Sequence, residues 1–232
     1  MQQVSENCGA IGGGVGDSSD GADLGMDIVV SGAETVCDDV KHIVLLGHSY
    51  ISRLNSFMDA DKYQNLGLST DQFKVTCIGL GGGTLRAGLK CMTQFLHKVM
   101  SLHPYIIYLH LGENDISLTS SQISVLLLDF LHRLSSIPDL KFLILSQTLP
   151  FPTFSESQKA NIIAVNSSSG EALKGMYHFT YWRHHGGFWH AKPGRSPYDR
   201  RGVHLNEDGM IKYWHSVKAA VKIAIAKSTY NK

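Results

Sequence analysis

Five short apolar runs, set apart by stretches with helical spacing, restrict the fold of this chain more than any other feature. Ile43–Leu46, Phe73–Ile78, Tyr105–Leu109 and Leu140–Leu145 are the clearest, and Tyr177–Tyr181 is a weaker fifth. Ile43-Val44-Leu45-Leu46 is apolar at every position, which marks a strand covered on both faces. Between the runs, residues 84–100 and 119–136 have the length and spacing of helices. In the second, Ile123, Leu127, Phe130, Leu131 and Leu134 share a face with Leu126. Near the end, Met210, Trp214, Val217, Val221 and Ala224 step by four and three, the pattern of an amphipathic helix. Strand and helix in alternation require crossovers of one hand. The expected fold is α/β, a three-layer sandwich of helices around a five-stranded parallel sheet.

The charge is uneven. Residues 1–40 contain eight acids and no Lys or Arg, so they carry −8, while the remainder carries +9. The acidic part is also rich in Gly and Ser. It has too little apolar surface to offset the entropy of ordering, so it is expected to be a disordered tail before a domain over 41–232. No apolar run approaches the roughly 18 residues of a membrane span, and Met1–Asn7 lacks the basic and apolar segments of a secretory signal. Cys8, Cys37, Cys77 and Cys91 form neither a Cys-x-x-Cys pair nor a disulfide framework. The thiols are expected to be reduced and the protein cytoplasmic, with the nucleus as the other compartment.

In parallel sheets functional groups gather beyond the carboxyl ends of the strands. There the chain has His48-Ser49 after the first run, Gly79-Leu80-Gly81-Gly82-Gly83 after the second, Gly112-Glu113-Asn114-Asp115 after the third, and His204 ahead of the last helix. Taken singly these are ordinary: Ser49 suits a helix N-cap, the glycines a turn, Asn114 a turn and His204 the surface. Together they are the set that acyl transfer needs. A serine hydroxyl needs a base, and the tetrahedral intermediate needs fixed N–H donors for its oxyanion.

The four blocks resemble those of the SGNH (GDSL-like) esterase and lipase superfamily, over roughly residues 41–226. The likeness implies a flavodoxin-like fold and serine hydrolysis of a carboxylic ester or O-acetyl group, with no metal or organic cofactor. It implies Ser49 as nucleophile and His204 as base. Gly82, with Gly81 as the fallback, Asn114 and the Ser49 amide become oxyanion donors. Two positions depart from the pattern: the usual Gly-Asp-Ser reads Gly47-His48-Ser49, and the Asp three residues before the His is Arg201. Asp199, two residues earlier, or else a backbone carbonyl, is expected to orient His204 instead. Gly-His-Ser with Trp182-Arg183-His184…Gly187-Phe188-Trp189 also resembles small variants associated with animal non-LTR retroelements.

His48, Trp182, Phe188 and Trp189 are expected to line the cleft, the aromatics as a wall or lid for an acyl chain. The partner is expected to be a small-molecule or lipid-like ester. The alternative is a non-catalytic module of the same fold that binds an acylated ligand, or nucleic acid through aromatics interleaved with Arg183, Lys192, Arg195, Arg200 and Arg201. Glu113 and Asp115 are expected to hydrogen-bond their loop. A dinucleotide loop is excluded, because Thr84 stands where Gly-x-Gly-x-x-Gly needs its last glycine. His178, His184, His185 and His190 lack metal-site spacing.

Overall fold

The computed structural model describes residues 40–176, 178–185, 187–189 and 196–229. The acidic region expected to be disordered lies outside the described residues except for Val40, as do Tyr177, His190, Lys192 and Arg195.

Five strands form one sheet: β1 (Lys41–Gly47), β2 (Phe73–Gly79), β3 (Pro104–His110), β4 (Phe142–Ser146) and β5 (Phe179–Trp182). Every pairing is parallel and the order is β2-β1-β3-β4-β5. Around the sheet lie α1 (Ser49–Met58), α2 (Leu96–Ser101), α3 (Ser120–Ser135), α4 (Glu156–Ala172) and α5 (Glu207–Thr229). β1 shows why both faces must be covered. Ile43 and Leu45 join one core with α1 and α5, while Val44 and Leu46 join the other with residues of α3 and α4. This is the expected three-layer fold, and each side of the sheet has its own apolar core. Among the described residues no helix is long and apolar enough to cross a membrane, and Cys77 and Cys91 are free thiols.

Two local expectations need correction. The helix expected over 84–100 starts only at Met92, and residues 84–91 are a loop. Thr84 and Cys91 form an isolated bridge, Thr84 N–H donates to Lys90 O at 2.9 Å, and only Met92–Phe95 (a 3₁₀ turn) and α2 are helical. Leu85, Met92 and Val99 are buried and spaced by seven, which imitates two helical turns. Gly88, at φ +150°, sits where an L side chain is strained and keeps the segment open. Conversely, α4 has no apolar stripe to announce it, because Asn166 and Ser169 occupy buried positions beside Ile162 and Val165. Its start is written instead in a capping box, Ser155 with Gln158.

Candidate active site

With this strand order the chain reverses its direction of winding between β1 and β3, and ligands of such sheets bind in the crevice formed there. β1 delivers Ser49 to that crevice and β3 delivers Asn114. Gly47 lets the two strands close up, since a Cβ on it would collide with the His110 carbonyl and with Ile51 Cγ1 at 2.7 Å. His48 caps α1 and Ser49, half-buried, opens it. Among the described residues the Ser49 N–H has no acceptor, as the first N–H groups of a helix generally lack one.

The glycine loop is tied to the same edge by Leu80 N–H, which donates to Gly47 O at 3.0 Å. Gly83 N–H turns inward to Leu80 O at 2.9 Å, whereas Gly82 N–H has no acceptor among the described residues. Gly82 has φ +73°, and the Lys90 ammonium lies over it, 3.1 Å from where a Cβ would be. Asn114 Nδ2 donates to Gly83 O at 2.9 Å, so two of the expected oxyanion donors share one corner. Asp115 holds the loop as expected, accepting from Leu85 N–H at 2.9 Å and Arg86 N–H at 3.4 Å.

His204 comes from a loop pinned to α1: Tyr50, the residue after Ser49, donates its hydroxyl to Val203 O at 3.4 Å. No hydrogen bond joins His204 to Ser49 among the described residues, and His204 Nδ1 is buried without a partner. Asp199 does not supply that partner. Its carboxylate accepts from Val203 N–H at 3.4 Å and lies 3.7 Å from Arg201 Nε, so it shapes the loop rather than the ring. Burial first, and then the charges of Arg53 and Arg201, lower the His204 pKa against the pull of Asp199. The imidazole is therefore neutral near pH 7 and able to take a proton.

Beneath Ser49 runs a buried polar chain that the sequence did not announce. Glu113, 1% exposed, accepts from His48 Nε2 at 2.8 Å, His110 Nε2 at 2.7 Å and Leu149 N–H at 2.6 Å. Burial raises its pKa, but the imidazoles of His110 and His48 outweigh this and hold it well below the usual carboxylate range. An ionised carboxylate only accepts, so both Nε2 atoms carry hydrogen, and in a neutral ring the Nδ1 atom is then the acceptor. His110 Nδ1 accordingly receives the Tyr213 hydroxyl at 2.6 Å. His48 Nδ1 faces Ser49 Oγ at 3.3 Å and Tyr50 N–H at 3.5 Å. Two imidazoles and a carboxylate within 4.8 Å are also a possible donor set for a metal ion. Here, however, each Nε2 atom is in hydrogen-bond contact with a Glu113 oxygen, closer than ligands around a shared tetrahedral ion sit. The residues as placed fit a proton chain and do not fit an ion.

The expected lining residues are placed differently. His48 is fully buried, with its ring under Ser49 rather than against a ligand. Trp182 donates Nε1 to Ser216 Oγ at 3.0 Å and packs on the core beneath α5. His184 joins the same buried cluster through Ser216 at 2.9 Å and Tyr108 at 3.1 Å. Phe188, 3% exposed, stacks edge-on against His184. Trp189 is half-buried beside Ile163, bordering two grooves that do not include Ser49. Large aromatic area next to an apolar core is readily buried, so Trp182 and Phe188 pack on the core, while Trp189 borders grooves that do not include Ser49.

No protein-family model and no curated protein sequence matches the chain. Solved structures do share its fold. The acetyl xylan esterase AlAXEase has a TM-score of 0.61 at 17% identity, over 78% of this chain and 99% of that one. The lipase/acylhydrolase from Enterococcus faecalis has a TM-score of 0.60 at 18% identity, over 79% and 96%. A member of the lipolytic protein G-D-S-L family from Veillonella parvula has a TM-score of 0.60 at 15% identity, over 77% and 96%. The sandwich is thus the fold of SGNH-type hydrolases.

Proposed function

We propose that this protein is a serine hydrolase that cleaves a carboxylic ester or O-acetyl group through an acyl-enzyme. The observation that carries the reading is the corner at the β1–β3 crevice. A half-buried serine opens a helix with its own N–H free, next to a free Gly82 N–H and the Asn114 amide. Ser49 Oγ attacks the carbonyl carbon. Charge then grows on the carbonyl oxygen, and the donors that meet it are Ser49 N–H, Gly82 N–H and Asn114 Nδ2–H. The hydroxyl proton passes to an imidazole and on to the leaving alcohol, and water then clears the acyl group. His204, neutral near pH 7 and carried by the loop that Tyr50 pins to α1, is the imidazole for that water. The structural neighbours, an acetyl xylan esterase and an acylhydrolase among them, favour acyl esters as the substrate class.

The test is labelling with a fluorophosphonate probe and turnover of p-nitrophenyl acetate, each compared with Ser49→Ala. Both signals are expected and both should vanish in the variant. Equal or absent signals would instead favour the non-catalytic binding module. The lack of any acceptor for His204 Nδ1 is the specific observation on that side.

A further inference from the structure

The chain departs from the SGNH pattern at His48 and at Arg201, and the structure joins the first departure to a carboxylate. Ser49 Oγ lies 3.3 Å from His48 Nδ1, and His48 Nε2 lies 2.8 Å from Glu113 Oε2. Serine, imidazole and carboxylate are therefore in line, with the ring entered from its other nitrogen. His204, by contrast, has a buried Nδ1 with no partner and no hydrogen bond to Ser49 among the described residues. We infer that His48, held by the positioning residue Glu113, is the base that takes the Ser49 proton during acylation, leaving His204 to serve the water of deacylation.

The ring's orientation is fixed on three sides. Glu113 accepts its Nε2–H, and the ring makes an edge contact with His110 at 5.1 Å between centroids and a tilted contact with Tyr50 at 4.8 Å. Glu113 is itself held by His110 Nε2 at 2.7 Å and Leu149 N–H at 2.6 Å, so its charge cannot swing away. A carboxylate in this position fixes the tautomer and stabilises the imidazolium once it forms, the two tasks of the third member of a serine triad. With Nε2–H committed to Glu113, Nδ1 is the acceptor that faces Ser49 Oγ at 3.3 Å, closer than the Tyr50 N–H that also reaches it at 3.5 Å. No such support reaches His204, because Asp199 is engaged with Val203 N–H and Arg201.

Proton and bond changes balance without a co-reactant other than water. In acylation the Ser49 O–H bond breaks, its proton moves to His48 Nδ1, and the Oγ–carbon bond forms. As the carbon–oxygen bond to the alcohol breaks, the leaving oxygen takes that proton. In deacylation His204 takes a proton from water as the water oxygen bonds to the acyl carbon; the carbon–Oγ bond then breaks, Ser49 Oγ takes that proton back from His204, and the acid leaves.

The inference rests on Ser49 being the nucleophile, and pre-steady-state kinetics separates the two claims. With p-nitrophenyl acetate, rapid mixing is expected to show a burst of p-nitrophenol that Ser49→Ala abolishes. His204→Ala is expected to keep the burst and stall afterwards, with acyl-enzyme visible as a mass increase on the intact protein. Glu113→Gln, which forces the wrong tautomer, and His48→Asn, which keeps a helix cap without a base, should slow the burst by about 10²–10⁴-fold. Both effects should appear in variants that remain folded at the assay temperature. If Glu113→Gln does not fold, His48→Asn carries the same reading. A wild-type protein with no Ser49-dependent burst overturns the hydrolase reading and this inference with it. A normal burst in folded His48→Asn, or a burst lost only in His204→Ala, overturns this inference alone.

Discussion

Asn114 spends one amide hydrogen on the Gly83 carbonyl and keeps the other for a ligand. Asn114→Ala is therefore expected to lower kcat for p-nitrophenyl acetate by about 10²–10³-fold with a smaller change in KM, as loss of an oxyanion donor does. Steady-state kinetics of the folded variant checks this. His204 carries a second prediction. Its pKa is lowered by burial and then by Arg53 and Arg201, so the base stays neutral to lower pH than a free imidazole. The acid limb of turnover should thus lie below the ordinary histidine value of about 6.5, and Arg53→Glu should move it upward. A limb at or above 6.5, unmoved by that change, would contradict the assignment. Ser49, Gly82, Asn114 and His204 could be singled out as candidates because each follows a strand or precedes a helix that the sequence itself marks. Glu113 was read only as a loop residue, because its partners His48 and His110 lie on two strand ends and no spacing in one dimension joins them. The substitution of His for Asp at position 48 was the available signal, and it pointed to a ligand-lining role rather than to a buried acid.

At the level of elements, β2 is seated on α1 by a residue that has no side chain. A Cβ on Gly79 would collide with the Ser52 backbone, including Cα at 2.6 Å. Gly79→Ala should force the two apart and cost about 2 kcal/mol or more, measured as a lower urea midpoint. Because the glycine loop starts at this seat, probe labelling of Ser49 should slow in the same variant while remaining detectable. The sequence showed the strands well, since a strand buried on both faces is apolar throughout. It misread 84–91, where Leu85 stands seven residues before the helical Met92 but is buried by a loop folding back. It passed over α4, where buried Asn166 uses its carboxamide to hold Thr148, accepting at 2.9 Å and donating at 2.9 Å. A helix that buries amides has no hydrophobic stripe to read.

For the molecule as a whole, the buried histidines set how stability responds to acid. Burial is the first cause that lowers His110, and it lowers His184 further. Above about pH 6.5 these rings are neutral in both the folded and unfolded chain and contribute no pH dependence. Below it the unfolded chain binds protons that the fold refuses. Stability is then expected to fall with pH by about 1.4 kcal/mol per unit for each ring. Glu113, ionised in the fold, adds to the same trend only below its ordinary value of 4.5. Urea melts at pH 7.5, 6 and 5 should show the slope, and His184→Gln should flatten it; a slope that is flat in the wild type would sink the account. The parallel register has one more outcome. Gly47 stands opposite both Gly79 and His110, so the pieces that carry the serine, the glycine corner and the amide are aligned at a single rung. A slip of one residue along any strand would carry its donor about 3.3 Å off target. The positional tolerance of the chemistry is accordingly a property of the backbone ladder, so mutations that loosen a distant strand pair should cost catalytic rate before they cost solubility.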